Sequence, residues 1–193
     1  MVRHDDHALL DCGDGRRLDA FGPLVVNRPA PGALEPRRAP ERWAGAAIFH
    51  RGSGWWGADG APLVEAGQPV SITGVTMEVR LTPSGQVGVF PEHAVNGPWL
   101  EAAVRARRAG NDAGTEAADE PPEILNLFAY TGLATLVAAR AGGRVTHVDA
   151  ARPSALWARR NAELSGLATA PIRWIVDEAL SFVRREARRG RRY

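Results

Sequence analysis

The amino-acid sequence predicts an α/β protein: a small antiparallel β region, then the first half of a parallel sheet with three strands and three helices. Three observations carry that prediction. Residues 75–82 (VTMEVRLT) alternate apolar and polar with period two, as a half-buried strand does. Residues 109–122 (AGNDAGTEAADEPP) are polar and acidic, hold Gly and Pro and show no periodicity, which marks a linker. From residue 123 onward short apolar runs alternate with helical stretches, at the spacing of strand–helix–strand units.

Composition bounds the function. The 193 residues suffice for one ordinary domain or two small ones. At 45% hydrophobic and 24% charged the chain reads as globular and cytoplasmic. It holds no apolar run of the roughly 18–20 residues that a membrane span needs, and its start, MVRHDDHALL, lacks the form of a signal peptide. The single cysteine, Cys12, excludes an internal disulfide and a thiolate-rich metal site. His4 and His7 flank two aspartates, but no metal site is assigned there. All 24 basic residues are arginine, so no lysine is available as a Schiff-base nucleophile or a P-loop ligand. Net charge is only +2, but residues 178–193 alone carry +4. That arginine cluster reads as the solvated face of a helix, with Leu180, Val183 and Ala187 toward the core, or alternatively as phosphate contacts.

Taken in order, residues 1–42 form an extended Pro/Arg-rich segment with one strand candidate at 21–26. Residues 43–108 hold the small β region and a following helix over 94–108, with Trp99, Leu100, Ala103 and Val104 on its core side. Trp43, Trp55 and Trp56 read as core or sheet-face packing rather than as a base-stacking platform. Residues 109–122 are the linker. In 123–193, strands at 124–128, 145–148 and 172–176 alternate with helices at 131–141, 153–165 and 178–188. Gly142-Gly143 and Gly166 end the first two helices, and Pro153 opens the second.

In sheets of this kind ligands bind at the carboxyl ends of the strands. The residues there are 126–132 in EILNLFAYTG, then Asp149, then Asp177. Ala129 and Gly132 are small enough for backbone to approach a ligand, and Thr131 can cap the next helix. Asp149 can accept hydrogen bonds from both hydroxyls of a ribose, and Asp177 one from an adenine amino group. Asp177 can equally be the N-cap of the helix after it. The turn F-A-Y-T-G-L has one glycine where a pyrophosphate-binding turn wants G-x-G-x-x-G, which favours S-adenosyl-L-methionine over a dinucleotide.

NLFAYTG, VTHVDA, NAELSGL and IRWIVDEALSFVRRE together resemble the class I S-adenosylmethionine-dependent methyltransferases. Within them the chain is similar to the family related to the large-subunit ribosomal RNA methyltransferases, a likeness that extends to GQVGVFPEHAVN and FGPLVVNRPAP. The resemblance implies a Rossmann-like domain over 123–193 and cofactor contacts at Asn126, Phe128, Ala129, Tyr130, Gly132, Asp149 and Asp177, with Phe90 and Asn96 as further candidates. It also implies an RNA substrate. In such proteins a fourth strand leads into an Asp-Pro-Pro-type catalytic loop, and RRGRRY would lead into that strand. The expectation is therefore a fragment inactive alone, without assignable catalytic residues, whose strand at 124–128 is an exposed edge open to self-association. Two other readings stay open: half of an NAD(P)-dependent oxidoreductase domain, and a non-catalytic nucleic-acid-binding module.

Overall fold

The computed structural model describes residues 5–63, 67–111 and 120–193, so most of the expected linker lies outside the described residues. The chain divides into two compact units. The first runs to Ile72 and includes Glu78–Pro91; the second comprises Thr73–Met77 and Glu92–Tyr193.

The first unit is built on a five-stranded sheet of order β1-β2-β3-β4-β5. Its strands are β1 (His7–Gly13), β2 (Arg16–Phe21), β3 (Leu24–Pro29), β4 (Ala47–His50) and β5 (Gly54–Trp56). The first three are antiparallel neighbours, β4 runs parallel to β3, and β5 returns antiparallel. This corrects the expectation of an extended segment with one strand at residues 21–26. That candidate spans the end of β2, a turn at Gly22 and Pro23, and the start of β3. The overlooked signal is Asp14-Gly15, where both residues take positive φ (53° and 73°) and turn β1 into β2 as Asp-Gly hairpins do.

Charge disguised these strands. Asp19 is fully buried and accepts from His7 Nε2 (3.1 Å), Arg17 Nη2 (2.7 Å) and Arg28 Nε (3.0 Å). These partners hold its carboxyl down at about pKa 2 against the burial that would raise it. Asp11 accepts from the Trp43 indole N–H (2.8 Å) and the backbone N–H groups of Ala39 (3.0 Å) and Arg38 (3.3 Å), fastening the Pro-rich segment to β1. Trp43 and Trp55 are buried, as the packing reading expects. β6 (Gln68–Ile72) and β7 (Val75–Val79) form a separate two-stranded sheet.

The second unit holds a parallel sheet of order β10-β9-β8, from β8 (Glu123–Leu127), β9 (Arg144–Asp149) and β10 (Ile172–Val176). A 3-10 turn at Pro91–Asn96 precedes α1 (Gly97–Asn111), so the first helix starts later than expected. Leu100 and Val104 face the core, but Trp99 is exposed and Ala103 points outward. The remaining helices are α2 (Leu133–Arg140), α3 (Arg152–Leu164) and α4 (Ala179–Arg188). Gly142 ends α2 with φ 98°, and the N–H groups of Gly142 and Gly143 donate to the Ala139 and Ala138 carbonyls. Alanines 138, 139 and 141 let α2 lie close on Val104 and Val145, and a side chain at Gly143 would meet Ile124 Cδ1 at 2.3 Å.

The phase of α4 departs from expectation. Its buried residues are Ala179, Phe182 and Glu186, whereas Leu180 is exposed and Ala187 points outward. A carboxylate on the core side is tolerated because Glu186 accepts from Arg173 Nη1 (3.3 Å), Arg189 Nη1 (2.9 Å) and the Tyr193 hydroxyl (2.7 Å). The Tyr193 hydroxyl, ahead of the arginines, holds the Glu186 carboxyl below its ordinary pKa.

Candidate functional site

The strand ends Leu127, Asp149 and Val176 bring the sequence-predicted residues onto one edge of the parallel sheet. From β8 the chain enters a tight turn. Ala129 N–H donates to the Val148 carbonyl (3.0 Å) and Gly132 N–H to the Ala129 carbonyl (3.0 Å). Phe128 and Tyr130 hold positive φ (52° and 49°), strained for bulky residues, and Gly132 holds φ 93°. Phe128 is 79% exposed and Ala129 is buried.

Gly132 is the N-cap of α2, with no side-chain cap. The expected cap, Thr131, is instead buried, and its carbonyl accepts from Asn161 Nδ2 (2.9 Å). A side chain at Gly132 would lie 3.1 Å from Ala158 Cβ, so its smallness serves packing on α3.

Asp149 closes the turn. Its Oδ2 accepts from Tyr130 N–H (2.7 Å) and its Oδ1 from Ala151 N–H (2.8 Å). Each carboxylate oxygen can accept a second hydrogen bond, and the side chain is only half-buried. The residue thus shapes the loop and still has acceptor capacity on both oxygens.

Asp177 is placed differently. Its Oδ1 accepts from Glu178 N–H (2.9 Å) and its Oδ2 is ion-paired with Arg185 Nη2. The Arg185 hydrogen bond holds the Asp177 carboxyl below its ordinary range. The cap of α4 is Glu178, whose oxygens accept from Leu180 N–H (2.9 Å) and Ser181 N–H (2.7 Å), so Asp177 is not the N-cap.

Beneath the turn, Asn126, a candidate from the sequence, is joined to two side chains that sequence reasoning did not assign to the site. Asn126 Nδ2 donates to Thr135 Oγ1 (2.8 Å), which is 2.9 Å from His147 Nδ1. His147 is fully buried, and burial pushes its imidazole down to about pKa 4. Its ring leans on Trp174 at 4.8 Å and 56°. The available signal was Thr135, a hydroxyl on the apolar face of a helix. Of the further candidates, Phe90 is half-buried in the first unit and Asn96 is exposed at the end of the 3-10 turn in the second. Among the described residues no group of three or more His, Cys, Asp or Glu could hold a metal, and no helix is long and apolar enough to cross a membrane.

No protein-family model matches the chain. A solved structure, an S-adenosylmethionine-dependent methyltransferase from Agrobacterium tumefaciens, is 41% identical with a TM-score of 0.86, covering 98% of this chain and 58% of that one. The chain is a relative of the S-adenosylmethionine-dependent methyltransferases. A Streptococcus mutans structure described as such a methyltransferase shares the fold at 19% identity, with a TM-score of 0.70 over 96% of this chain and 50% of that one. A curated relative, the ribosomal RNA large subunit methyltransferase K/L of Magnetococcus marinus, is 35% identical over 107 residues, 54% of this chain and 13% of that protein. The chain therefore spans little more than half of the Agrobacterium methyltransferase and matches about an eighth of the curated one. The oxidoreductase reading finds no relative among these proteins.

Proposed function

We propose that this chain is the cofactor-binding part of an S-adenosyl-L-methionine-dependent methyltransferase that acts on RNA in the cytoplasm, with a ribosomal RNA base as its target. One observation carries the reading: Asp149 is clamped between the N–H groups of Tyr130 and Ala151 and keeps acceptor capacity on both oxygens. A vicinal diol such as that of a ribose is the ligand group such a carboxylate fits. The RNA target is supported by the names of curated relatives, the Magnetococcus protein among them.

The cofactor, when bound, supplies an electrophilic methyl group. The chain's own residues do the holding. Asp149 would accept from the ribose hydroxyls. The unpaired N–H groups where α2 begins would take a carboxylate, with Phe128, Ala129, Tyr130 and Gly132 shaping the approach. Asn126 lies beneath that turn. Asp177 would face the adenine amino group once Arg185 shares or yields its carboxylate. The outer edge of β8 has no partner strand among the described residues and would be where copies associate.

Calorimetry on the full chain tests the reading. S-adenosylmethionine and S-adenosylhomocysteine should bind and NADH should not. Binding of NADH alone, or salt-sensitive RNA binding with no cofactor binding, would replace it.

A further inference from the structure

We propose that Thr135 and His147 are positioning residues for Asn126: their buried hydrogen-bond chain turns the Asn126 amide so that Nδ2 points inward and Oδ1 is left to accept from a cationic donor, the ammonium of the cofactor's amino-acid moiety. This rests on the cofactor reading above.

The direction of the chain follows from donor and acceptor inventory. An amide Nδ2 can only donate, so Thr135 Oγ1 accepts from Asn126 at 2.8 Å. The Thr135 hydroxyl has one proton, and His147 Nδ1 lies 2.9 Å away. If Thr135 donates to a bare Nδ1, the three side chains form one unidirectional series and His147 carries its proton on Nε2. Nε2 is sealed from solvent and has no hydrogen-bond partner, and the ring's aromatic neighbour is Trp174 at 4.8 Å. In this series the remaining proton would sit on Nε2, on the ring that packs against Trp174, and an aromatic face can receive an N–H. Burial keeps the ring neutral, so the series is not reversed by protonation near neutral pH.

At the other end, Asn126 Oδ1 has no partner among the described residues and is not one of the sealed polar atoms. His147 also sits directly under the turn, its Cε1 3.8 Å from where a Gly132 side chain would begin. With Oδ1 outward, the amide attracts an ammonium; with Nδ2 outward it would repel one.

The test uses the full chain, Thr135→Val and Thr135→Ser. Nitrogen-15 spectra of the histidine rings should show His147 protonated at Nε2, bare at Nδ1 and not titrating between pH 6 and 9 in the wild type. Calorimetry compares S-adenosylmethionine with 5′-methylthioadenosine, which lacks the ammonium. Thr135→Val should weaken S-adenosylmethionine roughly tenfold, the scale of a hydrogen bond to a charged group. It should leave 5′-methylthioadenosine within about twofold, and Thr135→Ser should restore the wild-type values. Equal weakening of both ligands, no weakening of either, or a His147 protonated at Nδ1 would overturn the proposal. If the wild type binds neither ligand the cofactor reading falls, and the His147 tautomer still decides the direction of the chain.

Discussion

Asp149 accepts from Tyr130 in the Phe128–Gly132 turn through Oδ2 and from Ala151 at the start of α3 through Oδ1, and each oxygen retains one acceptor site. Asp149→Asn puts an N–H against one of two backbone N–H groups, so loop and ligand should both suffer. We expect S-adenosylmethionine affinity to fall by at least about tenfold, from a lost bond to a charged group of roughly 1.5–3 kcal/mol, read by calorimetry. His147 gives a separate prediction. Burial holds its folded pKa at about 4, below the ordinary 6.5 of an imidazole, so between those values the unfolded chain binds the extra proton. Stability from this group is complete above about pH 6.5 and is lost as pH falls toward 4, by at most about 3 kcal/mol. Urea melts across pH 4–7 should show that slope in the wild type and a shallower one in His147→Gln. Asp149 was legible because it ends an apolar run. The Asp177–Arg185 pair was not, because eight residues of sequence do not say that α4 folds its second turn back over the end of β10. The link from Asn126 to Thr135 and His147 was hidden for a related reason: it joins three elements, and Thr135 and His147 each look like packing within their own element.

Among the elements, the parallel sheet was legible nearly to the residue, because short apolar-rich runs alternate with helical stretches whose ends carry Gly or Pro. The three N-terminal strands were not. Arg16, Arg17, Asp19 and Arg28 look like surface, yet Asp19 gathers two of those arginines in the interior and Arg16 donates to the Asn27 and Phe49 carbonyls. The phase of α4 was misjudged likewise, since Glu186 is buried on three donors. Two glycines separate local from tertiary demands. Gly15→Val meets open space but imposes φ 73° on a branched side chain, and should cost about 1–2 kcal/mol in a denaturant melt with no effect on ligand binding. Gly132→Ala adds to φ 93° a contact at 3.1 Å with Ala158, so it should cost more and also weaken S-adenosylmethionine, because α3 and the turn must part.

For the whole molecule, β8 has one strand neighbour, β9, and among the described residues its other edge is unpaired. Leu125 and Leu127 on that strand are half-buried. Such an edge templates pairing, so sedimentation of the chain should show concentration-dependent self-association that an added Lys or Pro on β8 reduces. We propose that the turn from Phe128 to Gly132 and the Asp149 carboxylate form the cofactor site. The most direct measurement is a map of backbone amide shifts in the full chain as S-adenosylmethionine is titrated. The largest shifts should fall on residues 128–133 and 149–151, with the Tyr130 and Ala151 amides, both bonded to Asp149, among them. Saturable shifts confined to the opposite end of the sheet, around Glu123, Arg144 and Arg192, would contradict it.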